Sequence, residues 1–209
     1  MLALKGVEAI VFDLGGVIID LDFQRSFEQF SVLSGQSQED IKKGLLESGV
    51  LQRYEKGQYS DSEFIEEVAR MFHLNCSQAE IEEAFLALLL NIPPARIELL
   101  KDLSKQYRLF LLSNTSSIHY QEVNRILYKS TGHRHLNELF EKVFLSFELG
   151  LLKPSIEIYK TVLKTTHLKP EHTLFLDDNA DNLKGASTVG IRTSLVSAEQ
   201  SILTLFNYE

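Results

Sequence analysis

Hydrophobic positions along the chain fall into two textures. From about residue 21 to residue 91 they recur every three or four positions, the spacing that puts side chains on one face of a helix. Phe23, Phe27 and Phe30 make one such stripe, and Ile41 with Leu45 makes another behind a candidate cap at Ser37. Two capping boxes follow, each pairing a serine with a glutamate three positions on so that both satisfy free backbone N–H groups. Ser60 with Glu63 opens the run Phe64, Val68, Met71; Ser77 with Glu80 opens Ile81, Phe85, Leu88. This stretch is expected to be all helical. It ends at NIPPAR, because Pro93 and Pro94 cannot sit inside a helix but can begin one.

Beyond the prolines, short continuous apolar blocks alternate with helical stripes. Strands are predicted at 107–112, 142–146, 173–177 and 191–196, and helices at 95–106, 117–129, 154–166 and 180–188. Such alternation makes a parallel sheet wrapped by helices, and the near absence of polar residues inside the strands means that both sheet faces are covered. Residues 9–12, AIVF, have the same character. The predicted fold class is α/β: a Rossmann-like parallel-sheet core formed by 1–17 and 94–209, with an all-helical cap domain, 18–93, inserted after the first strand. The segment 130–137, STGHRHLN, reads as an ordinary polar connection.

Composition narrows the function. A chain of 209 residues that is 44% hydrophobic can bury a substantial core. Twenty-nine acidic against twenty-one basic residues give a formal charge of -8, which disfavours nucleic acid and anionic membrane as partners. Cys76 is the single cysteine, so no intrachain disulfide forms, and a cytoplasmic location is expected. The opening apolar run is cut by Glu8 and Asp13 and is too short to span a bilayer.

In open α/β sheets ligands gather at the carboxyl ends of the strands. The polar residues there are Asp13, then Ser113, Asn114 and Thr115, then Lys153, then Asp177 with Asp178. Singly, most are ordinary. A serine or aspartate at such a turn is usually a helix cap, and a lysine before a proline is usually solvated. Asp13 is harder to dismiss, because a carboxylate ending a buried strand is costly unless cations or donors meet it. Together the residues suit a phosphoryl group and a divalent cation. Carboxylates alone repel phosphate, whereas Mg²⁺ takes oxygens from both. Asp13 can attack phosphorus to give an aspartyl-phosphate, while Ser113, Asn114 and Lys153 hold the phosphoryl oxygens. Asn182 fits a role holding the metal's carboxylates, and Asp181 beside it is a first-turn acid.

FDLGGVIID, LLSNT, LKP and FLDDNADN, in that order, resemble the four motifs of the haloacid dehalogenase-like hydrolase superfamily, and the helical insertion resembles its smaller cap type. ELGLLKPSIEIY and DDNADNLKGA further resemble the α-D-glucose-1-phosphate phosphatase branch. The resemblance implies Asp13 as nucleophile, Ser113, Asn114 and Lys153 as phosphate ligands, and Asp13, the Gly15 carbonyl and Asp178 as magnesium ligands, with Asp177 as a further ligand, direct or through water. The implied function is a magnesium-dependent phosphomonoester hydrolase acting on a small phosphorylated metabolite, plausibly a sugar phosphate. A metal-independent haloacid dehalogenase and a degenerate phosphate-binding protein are the rivals.

Gly15 departs from the family pattern, in which an aspartate at this position protonates the leaving oxygen. Loss of such an acid/base commonly costs about 10²- to 10⁴-fold. An anomeric, acyl or aryl leaving oxygen needs that proton least. His119 lies within reach of the second strand end but is expected at the surface on a first helical turn. YEKGQYS, 54–60, is either a substrate-facing cap loop or a plain turn at Gly57; Asp20 and Asp22 fall at the hinge, and His133 and His135 lack metal partners.

Overall fold

Five strands, β1 (Ala9–Phe12), β2 (Arg108–Ser113), β3 (Lys142–Leu145), β4 (Thr173–Asp177) and β5 (Arg192–Leu195), pair in the order β3-β2-β1-β4-β5, every pairing parallel. This computed structural model describes residues 2 and 4–208; Met1, Ala3 and Glu209, assigned from sequence to the core, lie outside the described residues.

The period-two alternation of strand side chains builds two separate cores. Ala9 and Val11 of β1 join Phe110, Leu112, Phe144 and Phe175 on one face, under α9 (Ile156–Thr166) and α10 (Ala180–Ser187). Ile10 and Phe12 join Leu109, Leu111, Leu174 and Leu176 on the other. That face is covered by α6 (Pro94–Leu103), α7 (Ser117–Thr131) and α11 (Ile202–Leu205). The α/β core with a parallel sheet therefore stands as predicted.

Between β1 and β2 run α1 (Phe23–Ser34), α2 (Gln38–Glu47), α3 (Val50–Glu55), α4 (Asp61–Phe72) and α5 (Gln78–Leu86), which gather around a cluster of their own that includes Phe27, Phe30, Ile41, Leu45, Phe64 and Phe85. Both capping boxes form: Ser60 N donates to Glu63 and Ser77 N to Glu80, each at 2.8 Å. The Ser37 hydroxyl accepts from Asp40 N, as its spacing suggested. The two chain segments that tie these helices to the sheet run side by side, with Leu90 N donating to Asp20 O and Asp22 N to Leu88 O at 3.0 and 2.8 Å. Arg96 of α6 pins them, pairing with Asp20 at 2.8 Å and donating to Ile18 O at 3.1 Å.

Element ends differ from expectation in a few places. Helix α9 begins at Ile156 rather than at 154, leaving Lys153 and Pro154, joined by a cis peptide bond, in a turn. The 130–137 connection is less polar in role than in composition: Leu136 is wholly buried, and its N–H donates to Asn124 Oδ1 at 2.9 Å. A short helix, α8 (Ser146–Leu149), follows β3 directly and was not anticipated. Among the described residues no helix is long and apolar enough to cross a membrane.

Candidate active site at the carboxyl edge of the sheet

Strand order decides which carboxylates meet. Asp13 extends β1 by one residue, its N–H donating to Leu176 O at 2.8 Å, and Asp177 ends the neighbouring β4. Their side chains therefore emerge side by side, and Asp178 follows at once. One oxygen from each of the three lies within 4.8 Å of the others. Lys153 reaches in from the turn before α9, with Nζ 2.7 Å from Asp13 Oδ1 and 2.7 Å from Asp177 Oδ2. It is the buried lysine that its sequence context made least expected, at 4% exposure.

Asp177 is saturated by protein donors. Besides Lys153 it accepts from Asn182 Nδ2 on both oxygens, at 3.0 and 3.1 Å, and from Asn179 N at 2.8 Å. Asn182 thus orients a carboxylate of the cluster, and Asn179 doubles as the N-cap of α10 by accepting from Asp181 N. Asp13 and Asp178 keep more of their oxygens free. Asp181 stays on the first turn, exposed.

Burial pushes the Asp13 carboxyl up to about 7, against the opposing pull of Lys153 and with a further push from Asp177. Asp178 is raised as well, by burial and by Asp177. For Lys153 burial works against the charge, yet Asp13 and Asp177 outweigh it and hold the ammonium above its ordinary value. Three carboxylates against one ammonium leave a surplus of negative charge in a poorly solvated place. An all-oxygen donor set of this kind suits a hard divalent cation, which would return Asp13 to its ionised form.

The glycines after Asp13 have different jobs. Gly16 has φ of +68°, and a Cβ there would come within 2.3 Å of Asp178 Oδ2, so only glycine lets the turn pass beside that carboxylate. Gly15 has no positive φ, and a Cβ on it would meet only the end of the Leu21 side chain, at 2.7 Å. Ser113 is buried at the end of β2. The Asn114 side chain spends itself on Lys153: Nδ2 donates to Lys153 O at 3.0 Å and Oδ1 accepts from Lys153 N at 2.9 Å. That clamp fixes the turn from which the lysine extends. Ser146, a residue the sequence did not single out, accepts from Thr115 N at 2.9 Å and donates to Thr115 O at 3.0 Å, tying the β2 loop to α8.

The helical insertion closes over this edge. Tyr54 Oη donates to Asp61 Oδ1 at 2.8 Å, and Ser117 at the start of α7 donates to the same carboxylate, so core and insertion share one acceptor. Gly57 approaches the core so closely that a Cβ would lie 2.2 Å from Phe147 O. The stretch YEKGQYS is therefore seated on the core. It brings Glu55, at the end of α3, to a cavity of about 100 Å³ that is also lined by Gly15, Ser113, Asn114, Thr115 and His119. Burial raises the Glu55 carboxyl to about 7, with Lys153 opposing and Asp13 adding to the push. Sequence pointed to this stretch but not to this residue; the signal was a glutamate two positions before a glycine that must pack against backbone.

His119 corrects an expectation. It is buried, not on the surface, because its ring stacks on Phe85 of α5 with centroids 4.0 Å apart. Nε2 lies 3.2 Å from Phe85 O, and burial lowers the imidazole to about 4, so it is neutral and donates to that carbonyl. Asp20 and Asp22 serve the hinge, through Arg96 and as the cap of α1. His133 pairs with Glu138 at 3.0 Å, and His135 leads into the short turn that follows.

A family model for haloacid dehalogenase-like hydrolases matches residues 7–190. A haloacid dehalogenase family enzyme from Bacteroides thetaiotaomicron, solved in complex with magnesium and inorganic phosphate, is 32% identical over 96% of this chain and 99% of that one, with a TM-score of 0.86. A protein from Porphyromonas gingivalis described as a predicted HAD-like family hydrolase is 30% identical over 97% of this chain and 98% of that one, with a TM-score of 0.84. Among curated proteins, D-ribitol-5-phosphate phosphatase of B. thetaiotaomicron is 29% identical over 187 residues, which is 90% of each chain.

Proposed function

We propose that this chain, which belongs to the haloacid dehalogenase-like hydrolase family, is a magnesium-dependent phosphomonoester hydrolase of a small phosphorylated metabolite, with 18–93 acting as a cap over the site. The observation that carries the reading is the cluster of Asp13, Asp177 and Asp178 at one sheet edge, with Lys153 bridging the first two. Asp13, Asp178 and the Gly15 carbonyl would hold the metal, with Asp177 as an outer or further ligand. Magnesium bound there would supply charge neutralisation for the phosphoryl oxygens.

In this reading an Asp13 oxygen attacks phosphorus and the bond to the leaving oxygen breaks. Lys153 and Ser113 hold the phosphoryl oxygens, and Asn114 acts through its clamp on the Lys153 backbone. The proton that Gly15 cannot give comes from Glu55, which faces the cavity from the cap. Glu55 then takes a proton from the water that cleaves the aspartyl-phosphate, so phosphate leaves and both carboxyls return to their starting state.

A panel of phosphorylated metabolites, assayed with Mg²⁺ and after chelation by EDTA, tests this. Phosphate release that requires the metal and returns with it is expected. Metal-independent release, or dehalogenation without metal, overturns the reading.

A further inference from the structure

The cavity beside Gly15 has two unlike ends. Where it meets the core its wall mixes Ser113, Asn114, Thr115 and His119 with Leu14 and Ile19, and Glu55 faces it from α3. Away from the sheet it runs between α1, α2, α3 and α5, and there the lining includes Phe23, Phe27, Leu45, Leu46, Leu51 and Leu88. Ser26, itself buried in α1, is a polar side chain among these. Two of the lining residues, Phe23 and Leu46, remain 49% and 42% exposed, although the neighbouring Phe27 and Leu45 of the same helices are buried. Large apolar side chains left uncovered at the mouth of a cavity are a sign of a binding surface when they continue the wall of that cavity.

A phosphate held by Lys153 and Ser113 would point its ester oxygen past Gly15 and Glu55 into this apolar end. A sugar or polyol leaving group would have to give up its water there with little besides the Ser26 hydroxyl to replace it, at a cost of about 1–3 kcal/mol for each unpaired hydroxyl. A hydrocarbon would gain instead. Resting on the phosphatase reading, we propose that the preferred substrates are monophosphate esters of short apolar alcohols, branched alkyl or prenyl, and that the cap wall of Phe23, Phe27, Leu45, Leu46 and Leu51 selects them over sugar phosphates. The size follows from the space. An apolar cavity of about 150 Å³ takes up benzene, so this smaller one, about 100 Å³ over its full length, limits the leaving group to roughly three to five carbons at most.

The test is a comparison of kcat/KM at fixed Mg²⁺ for methyl, propyl, 3-methylbutyl and prenyl phosphates against ribitol 5-phosphate and glucose 1-phosphate, with acetyl phosphate as a substrate that does not reach the apolar end. Each added methylene is expected to raise kcat/KM about fourfold until the cavity is full. Phe23→Ser with Leu46→Ser, both at partly exposed positions, is expected to lower the 3-methylbutyl value at least tenfold while leaving acetyl phosphate within twofold. A ribitol or glucose ester turned over as well as 3-methylbutyl phosphate, or a double variant that lowers all substrates equally, overturns the proposal. Failure to hydrolyse acetyl phosphate at all would instead strike at the phosphatase reading itself.

Discussion

Lys153 Nζ stands 2.7 Å from Asp13 Oδ1 and 2.7 Å from Asp177 Oδ2, so one buried ammonium serves the ends of two adjacent strands. Everything else at the site is arranged around that bridge. Asn114 clamps its backbone, Asn182 orients the Asp177 carboxylate, and Asp178 adds a third carboxylate to a cluster that suits a metal ion.

Lys153→Met removes the bridge and leaves two buried carboxylates facing each other. Breaking such a buried pair from one side costs about 3–5 kcal/mol, and denaturant unfolding without metal at pH 8 is expected to show a loss of that order. The deficit should shrink as pH falls below about 7, because Asp13 then carries a proton and less charge needs a partner. Added Mg²⁺ should recover part of the lost stability. The kcat/KM is expected to fall at least 100-fold, and a variant with wild-type stability and activity would mean that the ammonium is dispensable.

Gly15→Asp is expected to fold and to keep Mg²⁺ binding, since a Cβ there meets the movable end of the Leu21 side chain and the backbone needs no positive φ. Gly16→Ala, which collides with Asp178, should weaken Mg²⁺ at least tenfold by titration. Glu55→Gln should slow alkyl phosphates by about 10²-fold or more and acetyl phosphate little, because a poor leaving group depends most on the proton. Adding Gly15→Asp to that variant should restore much of the alkyl rate. No restoration, with Mg²⁺ bound normally, would show that Glu55 does not fill the place of the missing carboxylate.

His119 is neutral in the folded protein, with a value lowered to about 4 by burial. Between its ordinary value near 6.5 and about 4 the unfolded chain binds the extra proton and the folded one does not, so this residue contributes stability above that window and loses it as pH falls through it. The stability advantage of wild type over His119→Gln should therefore decline by up to about 3 kcal/mol from pH 7 to pH 4. Asp13 and Glu55, both raised to about 7, act in the opposite sense, since the folded state holds their protons more tightly over that range. The comparison with the variant isolates the imidazole. A difference that does not change with pH would place the ring in contact with water.

Much of this was legible because it depends on local chemistry. Two serine–glutamate boxes, the paired prolines and the apolar runs of β1, β2 and β4 each leave a mark within a few residues, and those elements appeared close to their expected bounds, whereas β5, with Arg192, Thr193 and Ser194, is less buried than the expected covered strand. The strand-end residues were legible as a group because a parallel sheet brings its carboxyl ends together. What was not legible depends on long-range contacts, within the core or where the helical insertion meets it. Glu55, Ser146 and the burial of His119 each follow from contacts between residues 30 or more positions apart, such as Phe85 with His119 or Gly57 with Phe147. No periodicity encodes such contacts. Asn114 shows the same limit at shorter range: its residue type suits a phosphate, but the fold sets its amide against the Lys153 backbone.

The proposed mechanism requires that Asp13 be phosphorylated during turnover, and that phosphorylation can be read directly. The protein is mixed with Mg²⁺ and a fast substrate such as acetyl phosphate, quenched in acid within the first turnover and digested, and the peptide containing Asp13 is weighed. One added phosphoryl group is expected on that peptide, lost on treatment with hydroxylamine and absent from Asp13→Asn, which should also lack turnover while retaining its fold. Phosphate release with no phosphoryl group on the Asp13 peptide at any quench time, or turnover retained by Asp13→Asn, would contradict it.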